Sequence, residues 1–190
     1  MDLVITKIRF FRRFFPIGLL AGLLIPIDGA LQAQSVSPSE YEVKAAFLFN
    51  FAKFVDWPRE ANPNPGASFV IGILGDDPFG KALEDQFNGK IVQDKKLVFM
   101  PLSGLQQASG CQVLFISASE TDNLVTILGK VQRPPVLTVS DIDQFIQRGG
   151  MVGFTMDQNR VRFNINLAAA DKAGLKISSQ LLKLAKTVKG

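Results

Sequence analysis

The spacing of apolar residues changes character along the chain, and each change predicts an element. From Ser39 to Asp56, a 100° helical projection puts Val43, Phe47, Leu48, Phe51, Ala52, Phe54 and Val55 on one arc. Glu42, Asn50, Lys53 and Asp56 fall on the opposite stripe, and Phe49 falls among them. Ser39 with Glu42 has capping-box spacing, so a helix is predicted to start there and to stop before Trp57-Pro58. Pro58, Asn62, Pro63, Asn64, Pro65 and Gly66 then predict a loop.

Past that loop the pattern switches to short apolar runs. Ser68–Leu74, residues 90–93 and 96–100, Cys111–Ser117 and Pro135–Val139 predict buried strands. Helices are predicted between them. One runs from an Asp77-Pro78 start to Phe87, one from about Glu120 to Val131 with Ser119 as cap, and one from the capping box at Ser140–Asp143 to Gly149-Gly150. Residues 151–156 and 160–166 alternate across Asp157-Gln158-Asn159 as a hairpin. A short helix over Leu167–Ala173 and a last one over Ser178–Val188 close the chain, the latter with Leu181, Leu184, Ala185 and Val188 inward. The fold class that follows is a single α/β domain. Its central sheet is mostly parallel, with an antiparallel C-terminal hairpin at one edge and helices on both faces.

The first 33 residues follow another pattern. Lys7, Arg9, Arg12 and Arg13 precede an uncharged stretch from Phe14 to Ile27, and Gly29-Ala30-Leu31-Gln32-Ala33 is a small-residue exit. That order predicts a cleavable export signal over 1–33 and a mature domain over 34–190; the apolar stretch is shorter than the ~20 residues of a spanning helix and holds two prolines. Four of the 21 basic residues and two of the 17 acidic ones lie in that segment, leaving 17 against 15. The sequence pI of 9.3 is therefore no argument for nucleic-acid binding.

Composition then narrows the chemistry. With no histidine, Ser-His-Asp and Cys-His catalysis, histidine metal sites and the usual neutral-pH proton shuttle are removed. Cys111 is the one cysteine, so no intrachain disulfide can form, and its apolar strand suits a buried small hydrophobe. Asp76-Asp77 at a strand's C-terminal end is where an α/β sheet binds ligands or a metal. A phosphoacceptor site would need a further aspartate where Ser117-Ala118-Ser119 stands, and helix capping by Asp77 is the preferred reading. Asp141, Asp143, Glu120 and Asp122 suit first helical turns. Gly149-Gly150 is a helix stop, and no nucleotide-binding glycine motif occurs, so no cofactor is expected.

Two features point instead to a protein partner. Phe49 stands on the polar stripe beside Asn50 and Lys53, with Trp57 and Arg59 just beyond. Lys176, Lys183, Lys186 and Lys189, with Arg162, form either a solvated helix face or an anion-binding edge. The interface expected on these grounds is Phe49, Asn50, Lys53, Trp57, Arg59 and Lys176.

The blocks SEYEVKAAFLFNFAKFVDWP, FVIGILGDDPFG, CQVLFIS, PVLTVSD, GGMVGF and RVRFNINLAAADKAGLKISSQLLKLAK resemble, in the same order, the YfiR family of periplasmic regulators. The resemblance implies a non-enzymatic repressor that binds the sensor region of an inner-membrane diguanylate cyclase, lowering cyclic-di-GMP and restraining biofilm formation. It also implies an outer-membrane OmpA-like lipoprotein as a sequestering partner, and a homodimer. Redox-responsive members use disulfides, for which this chain offers Cys111 no partner within itself. The partner could equally be a sensor kinase. The alternative is a small-ligand module, taking a periplasmic anion or amino acid and feeding such a kinase.

Overall fold

A computed structural model of the chain describes residues 39–58, 61, 67–131 and 135–190. The export-signal expectation and Arg59 lie outside the described residues.

Helix α1 (Glu40–Phe54) starts as its sequence predicts. Ser39 accepts from the Glu42 N–H at 3.3 Å, and the Glu42 carboxylate accepts from the Ser39 N–H at 2.5 Å. The chain leaves α1 through β1 (Val55–Asp56). Then follow β2 (Phe69–Leu74), α2 (Lys81–Phe87), β3 (Ile91–Val92), β4 (Lys95–Leu102) and a 3-10 helix over Leu105–Gly110. After β5 (Val113–Ile116), a second 3-10 helix (Ala118–Asn123) leads into α3 (Leu124–Lys130). The remainder is β6 (Leu137–Ser140), β7 (Val152–Asp157), β8 (Arg160–Asn166), α4 (Leu167–Lys172), β9 (Lys176–Ile177), α5 (Ser179–Leu184) and β10 (Thr187–Lys189).

Eight strands form one sheet in the order β10-β8-β7-β6-β5-β2-β4-β3, while β1 and β9 pair as a separate ribbon. Strands β7, β6, β5, β2 and β4 are mutually parallel neighbours; β8 runs antiparallel to β7 and β3 antiparallel to β4. The mixed α/β domain and C-terminal hairpin are thus present, with β10 added parallel outside β8. The hairpin turn is made by Gln158 and Asn159, both at positive φ, as a two-residue turn between right-twisted strands requires.

Both sheet faces are covered, which is why the central strands read as unbroken apolar runs. One face turns Phe69, Ile71, Ile73, Val113, Phe115, Leu137, Val139 and Val152 toward α1, α2, α4 and α5. Phe47 and Phe51 of α1 meet Phe154 and Phe163 with ring centroids 5.1–6.1 Å apart. The other face turns Leu114 and Ile116 toward α3 and the 105–110 turn. Close packing there leaves no room for a Cβ at Gly72, which would lie 2.6 Å from the Cys111 sulfur.

Four local expectations are corrected. Asp77 does not cap a helix: its carboxylate accepts from the Phe79 N–H at 2.8 Å, and α2 begins only after Gly80, at φ +52°. Ser119 does not cap α3, because its hydroxyl serves the Asp76 N–H at 2.9 Å. The stretch from Asp141 to Gly149 is a chain of turns rather than a helix. Gln144 at φ +57° interrupts it, and the Ser140 hydroxyl donates to Ile116 O at 2.6 Å, binding the residue to the neighbouring strand. Finally, the last helix stops at Leu184. The Lys186 N–H then donates to Phe163 O at 2.8 Å, docking Thr187–Lys189 as a strand on the open edge of β8. Leu184 and Val188, expected inward, are 55% and 42% exposed.

Candidate functional site

Strand order locates the crevice where an α/β sheet ordinarily takes a ligand. From β2 the chain crosses to β4 on one side and then to β5 on the other, so the switch point lies between the C-terminal ends of β2 and β5. Here that crevice is shut. Asp76 N–H bonds Ser119, and a Cβ at Gly75 would collide with the Ser119 hydroxyl. Asp76 and Asp77 are exposed beside this closure. Among the described residues no group of histidine, cysteine, aspartate and glutamate is gathered tightly enough to hold a metal ion.

The adjacent strand end carries the most concentrated buried charge in the described structure. Lys44, 3% exposed, points from α1 to Asp141 just past β6. Its ammonium lies 2.6 Å from the Asp141 carboxylate and 2.5 Å from that of Glu40, 4.3 Å from the Tyr41 ring centroid. The Tyr41 hydroxyl donates to the same Asp141 oxygen at 3.0 Å. Burial pushes the Lys44 pKa down, but hydrogen bonds to Asp141 and Glu40 and the charge of Asp141 outweigh it, leaving the group above the ordinary lysine value. Burial and the Asp141 charge raise the Tyr41 pKa. The side chains named partner one another, so the cluster is a tether between α1 and the strand ends.

The expected interface residues divide between two places. On α1, Phe49 is half-buried and stacks on Phe87 of α2, with centroids 4.9 Å apart and planes 20° from parallel. Lys53, one turn on, holds its ammonium 5.5 Å from the Phe49 centroid, and Lys90 reaches to 5.5 Å of Phe49 and 5.0 Å of Phe87. Two exposed ammonium groups thus flank one aromatic pair, each contact contributing about 0.5–1 kcal/mol at an exposed site. Asn50 is half-buried beside them on α1. Phe87 and Lys90 were missed from sequence, because their position opposite α1 depends on how α2 packs.

Trp57 and Lys176 lie just beyond the C-terminal end of α1. The Trp57 indole N–H donates to Gln112 O at 3.1 Å, and its ring meets Phe69 edge-on at 5.1 Å. Trp57 therefore fastens the chain to the starts of β2 and β5. Lys176 stands opposite Asp56 in the β1–β9 ribbon and is exposed. The end of α1 is closed by Gln93, whose amide donates to Ala52 O at 3.2 Å and Val55 O at 2.8 Å.

Cys111 is fully buried, and burial pushes its thiol up to about 11. A disulfide to a second chain is therefore out of reach of the folded domain. A cleft of about 330 Å³ opens on the α3 side, lined by Leu105, Gln106, Ser109, Lys130, Val131 and Val136.

The model of the YfiR/HmsC-like family matches residues 41–186, from the tether residue Tyr41 to the lysine that docks β10. The chain belongs to the YfiR/HmsC-like family. Membership supports a regulatory role in the periplasm in general terms. No curated protein matches the chain by sequence. Among solved structures, a conserved domain protein from Vibrio cholerae is similar, with TM-score 0.53 and 13% identity over 80% of this chain and 60% of that one. An ABC domain in complex with L-Trp, from Streptococcus pneumonia, is similar with TM-score 0.50 and 12% identity, over 78% of this chain and 60% of that one. The chain thus spans about 60% of the length of each neighbour, and the likeness is one of fold. No helix among the described residues is long and apolar enough to cross a membrane.

Proposed function

We propose that this YfiR/HmsC-like chain is a non-enzymatic periplasmic regulator that binds the sensor region of an inner-membrane diguanylate cyclase and holds the enzyme inactive. The observation that carries the reading is the Phe49–Phe87 pair flanked by Lys53 and Lys90, with Asn50 on the same helix. A half-buried aromatic with flanking cations offers apolar area and positive charge together, a composition favoured at protein interfaces. Trp57 shapes the chain next to this surface rather than offering a free ring, and Lys176 extends the positive charge along the β1–β9 ribbon. The effect on cyclic-di-GMP and biofilm passes through the partner, since the nucleotide is made across the membrane. An OmpA-like lipoprotein would act by competing for the chain, and a homodimer would present the surface twice.

The test is capture of the cyclase periplasmic region by the purified chain and by Lys53→Glu/Lys90→Glu, with unfolding curves confirming that both are folded. Loss of capture together with raised cyclic-di-GMP in cells is expected. A folded double variant that still captures the cyclase and still represses would place the interface elsewhere.

A second reading, a small-ligand module feeding a sensor kinase, is favoured by the cleft at Lys130. A specific amino acid or anion would then raise the melting temperature of the chain, and Lys130→Ala would abolish the rise.

A further inference from the structure

The sheet ends, beyond β8, on a strand that contributes one edge to the fold and leaves the other open. In the β10–β8 ladder, Thr187 pairs with Asn164, Val188 with Ile165 and Lys189 with Asn166. The Lys186 N–H points inward to Phe163 O. The Asn166 N–H bonds Met151 O on the β7 side, so Asn164 and Asn166 face β7 and their register partners Thr187 and Lys189 face β8. Along the strand the N–H and C=O of Val188, between them, point outward. All three residues of β10 are exposed, and no described strand pairs with that side. Unpaired ladder groups of this kind form a template for an added strand.

Charge and apolar exposure say what such a strand would look like. Lys189 and Arg162 share one face of this corner by register and are exposed, as is Lys183 on α5. Asp157 is already engaged by Lys186 at 3.2 Å, and α4, which also contacts β10, carries Asp171 beside Lys172 and so adds no net charge. On the other face Val188 and, before it, Leu184 are exposed apolar residues. A second copy of this chain would bring the same lysines against themselves, an unfavourable pairing.

We infer that β10 is a docking edge for an extended segment of a partner protein that alternates acidic and apolar residues, added as a further strand. This surface is separate from the α1 patch, so its failure would leave the proposed regulatory contact standing, and the reverse.

The test uses a fluorescently labelled synthetic peptide of alternating Glu and Val, followed by anisotropy with the purified chain. The same peptide N-methylated at alternate residues, and its Lys–Val counterpart, serve as controls. Expected are binding of the acidic peptide that weakens with added salt, none of the basic one, and slowed amide exchange at Val188. N-methylation should weaken binding roughly tenfold, the equivalent of one or two net hydrogen bonds. Val188→Pro, which removes the outward N–H while sparing those of Thr187 and Lys189 in the ladder, should do the same. Equal binding of the N-methylated peptide, or of both charge types, would overturn the inference. So would slowed exchange at β10 in the chain alone at concentrations where it dimerises, which would give the edge to a second copy. Should Val188→Pro not fold, the N-methylated peptide decides.

Discussion

Replacing Asp141 by alanine would leave the buried Lys44 ammonium with one carboxylate instead of two. The remaining partner, Glu40, has a side chain 42% exposed, whereas Asp141 is 13% exposed and also receives the Tyr41 hydroxyl. Breaking a buried pair by removing one member costs ~3–5 kcal/mol, and the surviving Glu40 contact puts Asp141→Ala near the low end, about 3 kcal/mol. Lys44→Met removes the charge but keeps the side-chain volume. Asp141 then retains Tyr41 and some access to water, so the cost should be smaller, about 2 kcal/mol. The double variant buries no unpaired ion and should cost roughly 3 kcal/mol, well below the sum, giving a coupling of about 2 kcal/mol. Urea unfolding of the four proteins at neutral pH measures this, each 1 kcal/mol corresponding to a melting shift of roughly 2–4 °C for a domain of this size. Costs that add within about 0.5 kcal/mol would refute a coupled tether.

Two further outcomes follow from the same burial. Lys44 titrates above its ordinary value of 10.5 in the folded chain, so its contribution is complete below pH 10.5 and is lost as pH rises through the folded value. The stability difference between the natural chain and Lys44→Met should accordingly be level up to that pH and shrink beyond it; a difference that keeps growing would contradict the assignment. Cys111, buried with its thiol raised to about 11, should resist a thiol reagent at pH 8 until denaturant is added, and no covalent dimer should form under oxidising conditions. Rapid labelling of the native chain would show that the sulfur is reachable.

Much of the fold was legible because its causes are local. The Ser39–Glu42 box starts α1 from within four residues, and the short apolar runs at 69–74 and 113–116 read as buried strands and form them. The Asp157–Arg160 turn likewise carries its own geometry in Gln158 and Asn159. The candidate site was half legible: Phe49 and Lys53 stood out as an aromatic and a cation on one helix stripe, but their partners Phe87 and Lys90 did not.

What sequence alone determined, then, was the set of segments able to satisfy their backbone and bury their faces by themselves. Tertiary structure decided the rest, wherever a residue's partner lies far along the chain. Nothing in the local sequence marks Lys44, which Asp141, 97 positions away, holds in the core. Trp57 looked free until Gln112 O, 55 positions on, accepted its indole N–H. The Ser140 hydroxyl accepts locally from the Ile142 N–H and also donates to Ile116 O, yet no helix follows it, and the helical spacing of Leu184 and Val188 lost to the open edge of β8. In each case a local preference of about 1 kcal/mol met a packing or pairing demand of equal or greater size, and only the assembled sheet supplies that demand.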